Sequence, residues 1–130
     1  MAGYILVVDD DSGLREAVAY ELQALGYRTG MAANGAEALA QVRVELPMLI
    51  VTDLEMPVMN GRRMLQFLRA EPLGADVPVV VLSAFGFEWE ADLMGAQAFV
   101  RKPVNATRLR ETLARVMLGS AESPEAVVRH

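Results

Sequence analysis

Residues 4–11 read Tyr4-Ile5-Leu6-Val7-Val8-Asp9-Asp10-Asp11, five apolar side chains followed directly by three carboxylates. A continuous apolar run of this length is typical of a strand buried on both faces, as in a parallel sheet covered by helices. The carboxylates would then lie at the carboxyl end of that strand. This one stretch therefore predicts both a fold class and the place of a site.

Four further segments have the pattern of strands, and helical patterns separate them. The predicted strands are 28–32, 48–51 closed by Thr52-Asp53, 78–82 ending at Ser83, and 98–100 before Arg101-Lys102-Pro103. Helices are predicted after Asp11 or Ser12, after Asn34, after the turn at Asn60-Gly61, in a short stretch at 86–95, and after Asn105. Such alternation predicts an α/β fold with one five-stranded doubly wound parallel sheet and five helices, the fourth shortened. We expect one domain over residues 1–118 and a flexible tail at 119–130.

The composition excludes several classes of chemistry. The chain has no cysteine, and its one histidine is the last residue, His130, so thiol chemistry, a histidine base and a histidine-bound metal are not expected. The net charge of −5, with scattered arginines, argues against direct nucleic-acid binding. No apolar run approaches the ~20 residues of a membrane span, and no basic leader precedes the first strand. We expect a cytoplasmic protein without membrane contact.

The predicted strands bring their polar ends together at one edge of the sheet. In open parallel sheets ligands bind beyond the carboxyl ends of the strands. The side chains expected there are Asp9, Asp10, Asp53, Ser83 and Lys102, and Lys102 is the only lysine in the chain. Three carboxylates repel one another, and one lysine leaves a deficit that a hard cation such as Mg²⁺ or Mn²⁺ would fill. This set suits a phosphoryl group in transfer, with Asp53 as the nucleophile.

Each of these residues also has a simpler interpretation. Asp10 and Asp11 could favour the N-terminus of the first helix through its dipole, and for Asp11 we prefer that interpretation. Ser83 could bond backbone at a strand end, and Lys102 could be solvated. Asp53 is harder to explain in this way, because an aspartate that closes a buried strand loses solvation unless it is paired or liganded.

From Tyr4 to about Leu118 the chain resembles a two-component response-regulator receiver domain of the CheY-like superfamily. The resemblance rests on Leu6-Val7-Val8-Asp9-Asp10-Asp11, Asp53-Leu54-Glu55-Met56-Pro57 with Gly61, Val81-Leu82-Ser83-Ala84, and Phe99-Val100-Arg101-Lys102-Pro103. It implies the strand order 2-1-3-4-5 and a cis Lys102–Pro103 peptide. It also implies a stand-alone phosphoacceptor switch that is not an enzyme in its own right.

The resemblance implies a role for each site residue. Asp53 would accept the phosphoryl group from a histidine kinase or phosphotransfer protein. Mg²⁺ would be held by Asp10, Asp53 and the backbone carbonyl of Glu55, with Asp9 binding directly or through water. Ser83 and Lys102 would bond the phosphoryl oxygens, and Ser83 would move toward them while Phe99 turns inward.

The sequence departs from the family pattern at several positions. Phe99 lacks the hydroxyl of the commoner tyrosine, so a switch here would work by packing. Glu55 and Phe85 occupy positions that influence dephosphorylation, and we expect Phe85 to slow hydrolysis by shielding the acyl phosphate. The 19 residues from Ser83 to Lys102 are fewer than usual, which shortens the fourth helix on the common output face.

Three functions are compatible with the sequence. The first is the phosphoacceptor switch, acting on a downstream protein effector or on an output domain of another chain, as a monomer or a phosphorylation-dependent dimer. The second is a phosphorylation-independent interaction module with the same fold. The third is an aspartyl-phosphate phosphohydrolase, which Asp53-Leu54-Glu55 resembles loosely.

Overall fold

The computed structural model describes residues 3–84 and 94–121, in which strands and helices alternate along the chain. The strands are β1 (Tyr4–Val8), β2 (Arg28–Ala32), β3 (Leu49–Asp53), β4 (Val79–Ser83) and β5 (Ala98–Arg101). The helices are α1 (Ser12–Ala24), α2 (Gly35–Val44), α3 (Gly61–Ala70) and α4 (Ala106–Ala121). The predicted helix at 86–95 falls largely outside the described residues.

The five strands form one parallel sheet in the order β2-β1-β3-β4-β5, which confirms the expected order. The polar strand β2 lies at one edge and the short β5 at the other. The apolar strands β1, β3 and β4 lie between them, and all of their residues are buried. The apolar runs of the sequence are therefore the strands that have a neighbour on both sides.

Alternation along β1 explains why its whole length is apolar. Leu6 and Val8 face a core shared with α2 and α3, whereas Ile5 and Val7 face a core shared with α1 and α4. Successive strand residues point to opposite faces, so a strand covered on both sides needs apolar side chains at every position. Burying one such side chain contributes about 1.5–3 kcal/mol.

All four described helices begin in the same way. A side-chain oxygen just before each helix accepts a hydrogen bond from a backbone N–H in the first turn, which satisfies one donor that the helix leaves unpaired. The accepting side chains are Asp11, Asn34, Asn60 and Asn105. Asp11 is thus a helix cap, as preferred from the sequence.

The last helix, α4, continues to Ala121, beyond the domain boundary expected at residue 118, and residues 122–130 lie outside the described part of the chain.

Arg69 ties the end of α3 to the segments on either side of β4. Its guanidinium donates to the backbone carbonyls of Val77 at 2.8 Å and Gly95 at 2.7 Å, and more weakly to that of Gly74. A guanidinium can serve several carbonyls at once because its five N–H donors are spread around one plane. This contact fixes the entry to β5.

Within residues 3–84 and 94–121, no helix is both long and apolar enough to cross a membrane.

Val58, in the loop between β3 and α3, has a φ of 68°, and its side chain is 85% exposed. The left-handed region costs an L-residue about 1–2 kcal/mol, and a β-branched side chain is especially disfavoured there. No packing offsets this cost, because the side chain is in solvent. The loop that follows the carboxyl end of β3 is therefore held in a strained conformation.

We predict that Val58→Gly raises the free energy of unfolding by about 1 kcal/mol, because glycine adopts this φ without strain. Urea denaturation of the two proteins measures the difference. Val44→Gly is the matched control: Val44 is 88% exposed at the end of α2 and has no positive φ, so glycine should destabilise there. A loss of stability in both variants would contradict the interpretation of Val58 as strained.

Candidate functional site

The carboxyl ends of the strands bring the predicted polar side chains to one edge of the sheet. Asp9 and Asp10 follow β1, Asp53 is the last residue of β3, Ser83 is the last residue of β4, and Lys102 follows β5. The chain places β2 on one side of β1 and β3 on the other, so this edge contains the topological switch point of the sheet. These residues lie at the edge of the sheet where the sequence predicted them.

Lys102 joins two of the carboxylates. Its Nζ lies 3.0 Å from Asp9 Oδ2 and 3.3 Å from Asp53 Oδ2, and all three side chains are largely buried. Burial alone would lower the pKa of Lys102, but the hydrogen bonds and charges of Asp9 and Asp53 outweigh it and raise this pKa. Lys102 is therefore cationic at neutral pH. The Lys102–Pro103 peptide bond is cis, as expected.

The negative charge of the Asp53 carboxylate is only partly offset by its neighbours. Its Oδ1 accepts a hydrogen bond from the Leu54 N–H at 2.8 Å, while its Oδ2 faces Lys102. Burial raises the pKa of Asp53 above its ordinary value, and the charge of Asp9 raises it further, against the opposing effects of Lys102 and the Leu54 N–H. One ammonium thus offsets only part of the cost of two buried carboxylates.

The third carboxylate, Asp10, completes a group of oxygen ligands. Oxygens of Asp9, Asp10 and Asp53 all lie within 4.8 Å of one another, and Asp10 is the exposed member. Asp9 Oδ1 accepts from the Asp11 N–H at 2.9 Å and its Oδ2 from Lys102, so both of its oxygens already have partners. Carboxylates without histidine or cysteine suit Mg²⁺, which keeps several water ligands of its own. Both oxygens of Asp53 likewise have partners, so the donor set fits Mg²⁺ with the exposed Asp10 as the most available of the three carboxylates.

Ser83 lies at the same edge of the sheet, and Phe99 lies two residues before the end of β5. Ser83 is buried at the end of β4, the strand next to β3, and its backbone carbonyl accepts a bond from the Lys102 N–H at 2.9 Å. Phe99 is 9% exposed and belongs to the core shared with α2 and α3. In this conformation its ring therefore already points inward.

Glu55, an expected modulator of hydrolysis, forms an ion pair with an arginine. Its side chain is exposed, and Oε2 lies 2.6 Å from Nη1 of Arg62 in the first turn of α3. The sequence did not identify Arg62 as a partner of Glu55, because an ion pair across a loop has no spacing signature. Phe85, the other expected modulator of hydrolysis, lies outside the described residues.

Gly61 has a closer relation to the site than a turn glycine. It is the first residue of α3, and its N–H donates to the Leu54 carbonyl at 2.9 Å. A Cβ at this position would lie 2.2 Å from the carbonyl oxygen of Asp53. The interpretation of Gly61 as a turn residue was therefore wrong: glycine is required because the start of α3 approaches the backbone of Asp53.

The doubly wound sheet, with its carboxylates and lysine at one edge, defines the CheY-like class of α/β domain. Residues 5–114 match the sequence profile of the response regulator receiver domain. The chain belongs to the response regulator receiver domain family. Receiver domains of this family are signalling domains of two-component systems.

Individual relatives show the same similarity. The protein named "Probable transcriptional regulator ycf27" from Pyropia yezoensis is 36% identical over 116 residues, covering 87% of this chain and 46% of that protein. The chain spans about half the length of the first curated relatives it matches. Chemotaxis protein CheY4 of Vibrio cholerae superposes with a TM-score of 0.83 at 32% identity, over 89% of this chain and 99% of that one.

A third similarity bears on the metal site. The receiver domain of sensor histidine kinase PA1611 from Pseudomonas aeruginosa PAO1 superposes with a TM-score of 0.80 at 27% identity, over 89% of this chain and 98% of that one. That structure has a magnesium ion coordinated in its active site cleft.

We predict that Gly61→Ala lowers the free energy of unfolding by about 2 kcal/mol or more, because the added methyl group must displace the backbone of Asp53 or the start of α3. Urea denaturation measures the loss. Gly13→Ala in α1 is the control: its added Cβ would lie 3.4 Å from Asp11 Oδ1, an ordinary contact, and alanine favours a helix by up to about 1 kcal/mol. Equal tolerance of both substitutions would disprove the close approach at Gly61.

Proposed function

We propose that this chain is a phosphoacceptor switch, in which Asp53 accepts a phosphoryl group from a phosphohistidine of a histidine kinase or phosphotransfer protein. The observation that carries the proposal is the position of Lys102 Nζ, 3.0 Å from Asp9 and 3.3 Å from Asp53. A structural ion pair would need only one carboxylate. A lysine that contacts two buried carboxylates, with the third carboxylate of Asp10 nearby, instead suits a site that binds a metal cation and a phosphoryl group.

The transfer itself requires little from the protein besides position and charge. An oxygen of the Asp53 carboxylate attacks phosphorus, a P–O bond forms, the P–N bond to the histidine breaks, and the electron pair returns to the imidazole nitrogen. When bound, Mg²⁺ supplies positive charge that offsets the carboxylates and the phosphoryl oxygens. Asp10, Asp53 and the backbone carbonyl of Glu55 would hold it, with Asp9 binding directly or through water.

Lys102 has a role before and after transfer. Before transfer its ammonium neutralises part of the negative charge of Asp9 and Asp53. After transfer it can donate to a phosphoryl oxygen while it keeps Asp9, because an ammonium carries three donors on a flexible stem. Ser83, one strand away from Asp53, would supply a hydroxyl donor to another phosphoryl oxygen.

The consequence of phosphorylation would be altered contacts with other proteins. We propose residues 1–118 as the receiver unit and 119–130 as a tail, whose first three residues continue α4. We place the chain in the cytoplasm with a histidine kinase or phosphotransfer protein as input, and a protein effector or an output domain of another chain as target. The net charge of −5 argues against direct binding of nucleic acid. The monomer, or a dimer formed on phosphorylation, would be the functional form.

We predict that incubation with acetyl phosphate and Mg²⁺ adds one phosphoryl group to the wild type and none to Asp53→Asn, as measured by intact mass. Removal of Mg²⁺ with EDTA should abolish the gain. Asp11→Asn is the matched control, because asparagine caps a helix as well as aspartate does and the labelling should persist.

Lys102→Arg should impair signalling despite keeping the charge, since a planar guanidinium cannot replace a point-charge donor.

Three results would contradict the proposal in different ways. Failure of the wild type to gain mass would favour the phosphorylation-independent interaction module. Continuous turnover of unrelated phosphate esters would favour the phosphohydrolase. Labelling that survives Asp53→Asn would show that another residue is the acceptor.

A further inference from the structure

Arg101 contacts two parts of the site at once, and neither sequence reasoning nor the family resemblance gave it a role. It is the last residue of β5 and lies two positions after Phe99, so both side chains project from the same face of the strand. The Arg101 guanidinium carbon lies 5.2 Å from the centroid of the Phe99 ring. A cation over an aromatic face at this distance is attracted by the ring.

The same guanidinium reaches the neighbouring strand. Arg101 Nη1 donates to the backbone carbonyl of Ala84 at 3.2 Å. Ala84 directly follows Ser83, whose own carbonyl accepts from the Lys102 N–H at 2.9 Å. Two successive residues therefore contact the end of β4: Arg101, the last residue of β5, through its side chain, and Lys102, which follows it, through its backbone.

We propose that Arg101 is a positioning residue that couples the phosphorylation site to the packing of Phe99. This inference rests on the proposed function. When the backbone at Ser83 shifts toward a phosphoryl group on Asp53, we expect the carbonyl of Ala84, the next residue along the chain, to shift as well. The Arg101 guanidinium then either follows the carbonyl or releases it. We expect either change to alter the position of the guanidinium over the Phe99 ring.

The chemistry of arginine suits this task better than that of lysine. A planar guanidinium can lie on an aromatic face and still direct an edge N–H toward a carbonyl oxygen. A lysine ammonium is a point charge and is expected to serve one of these two partners at a time. Because Phe99 has no hydroxyl group, its response depends on contacts with the faces and edge of its ring, and Arg101 provides one of these face contacts.

The experiment observes Phe99 directly. The full chain is labelled with 4-fluorophenylalanine, and the Phe99 signal in the ¹⁹F NMR spectrum is assigned by its loss in Phe99→Leu. Acetyl phosphate and Mg²⁺ are then added, with intact mass measured on the same sample. The acyl phosphate is covalent, so phosphorylated and unphosphorylated chains give separate signals, and signal position does not depend on the extent of labelling.

We expect phosphorylation to shift the Phe99 signal in the wild type, and the shift to fall to less than half in both Arg101→Ala and Arg101→Lys. Arg108→Ala, which removes an exposed arginine from α4, is the control and should keep the wild-type shift. A wild-type shift in the two Arg101 variants, or no shift in the phosphorylated wild type, would overturn the coupling role alone. If the wild type gains no phosphoryl group by mass, the proposed function and this inference are both overturned.

Discussion

The rest of the site depends on one ammonium group placed between two buried carboxylates. Two carboxylates about 4 Å apart repel by about 4 kcal/mol at an effective dielectric of 20, and the edge of a parallel sheet brings them together whether or not a cation is present. Lys102 contacts both Asp9 and Asp53, and the burial that raises the pKa of Asp53 shows that the compensation is incomplete. In its protonated form, below its ordinary pKa, the Asp53 carboxyl stabilises the folded state. This contribution is lost as the pH rises through the raised pKa of the folded state, so ionised Asp53 opposes folding. The site therefore still attracts positive charge when Lys102 is in place.

Much of this arrangement could be predicted from the sequence. Apolar runs such as Tyr4–Val8 identified the strands, because strands covered on both faces must be apolar throughout. Asp9, Asp53 and Lys102 were placed by topology alone, since the strands of a parallel sheet all end at the same edge. The strand order and the cis peptide at Pro103 came from the family resemblance, and the structure confirms both.

The contacts that were missed are those without a periodic signature. The pairing of Glu55 with Arg62 and the contacts of Arg101 depend on side-chain directions that a sequence does not encode locally. Gly61 was assigned to a turn because Asn-Gly favours turns, whereas the structure needs glycine for the close approach of α3 to the Asp53 carbonyl. These contacts connect the site to α3 and β5, which makes them candidates for transmitting a change at Asp53.

A double-mutant cycle between Asp53 and Lys102 tests the central constraint most directly. Free energies of unfolding in urea are measured at neutral pH without Mg²⁺ for the wild type, Asp53→Asn, Lys102→Gln and the double variant. If Lys102 stabilises the fold by offsetting both carboxylates, Lys102→Gln should cost about 1 kcal/mol or more beyond what it costs in the Asp53→Asn background. An equal cost in the two backgrounds would show that Lys102 and Asp53 are not coupled, and would contradict this account of the site.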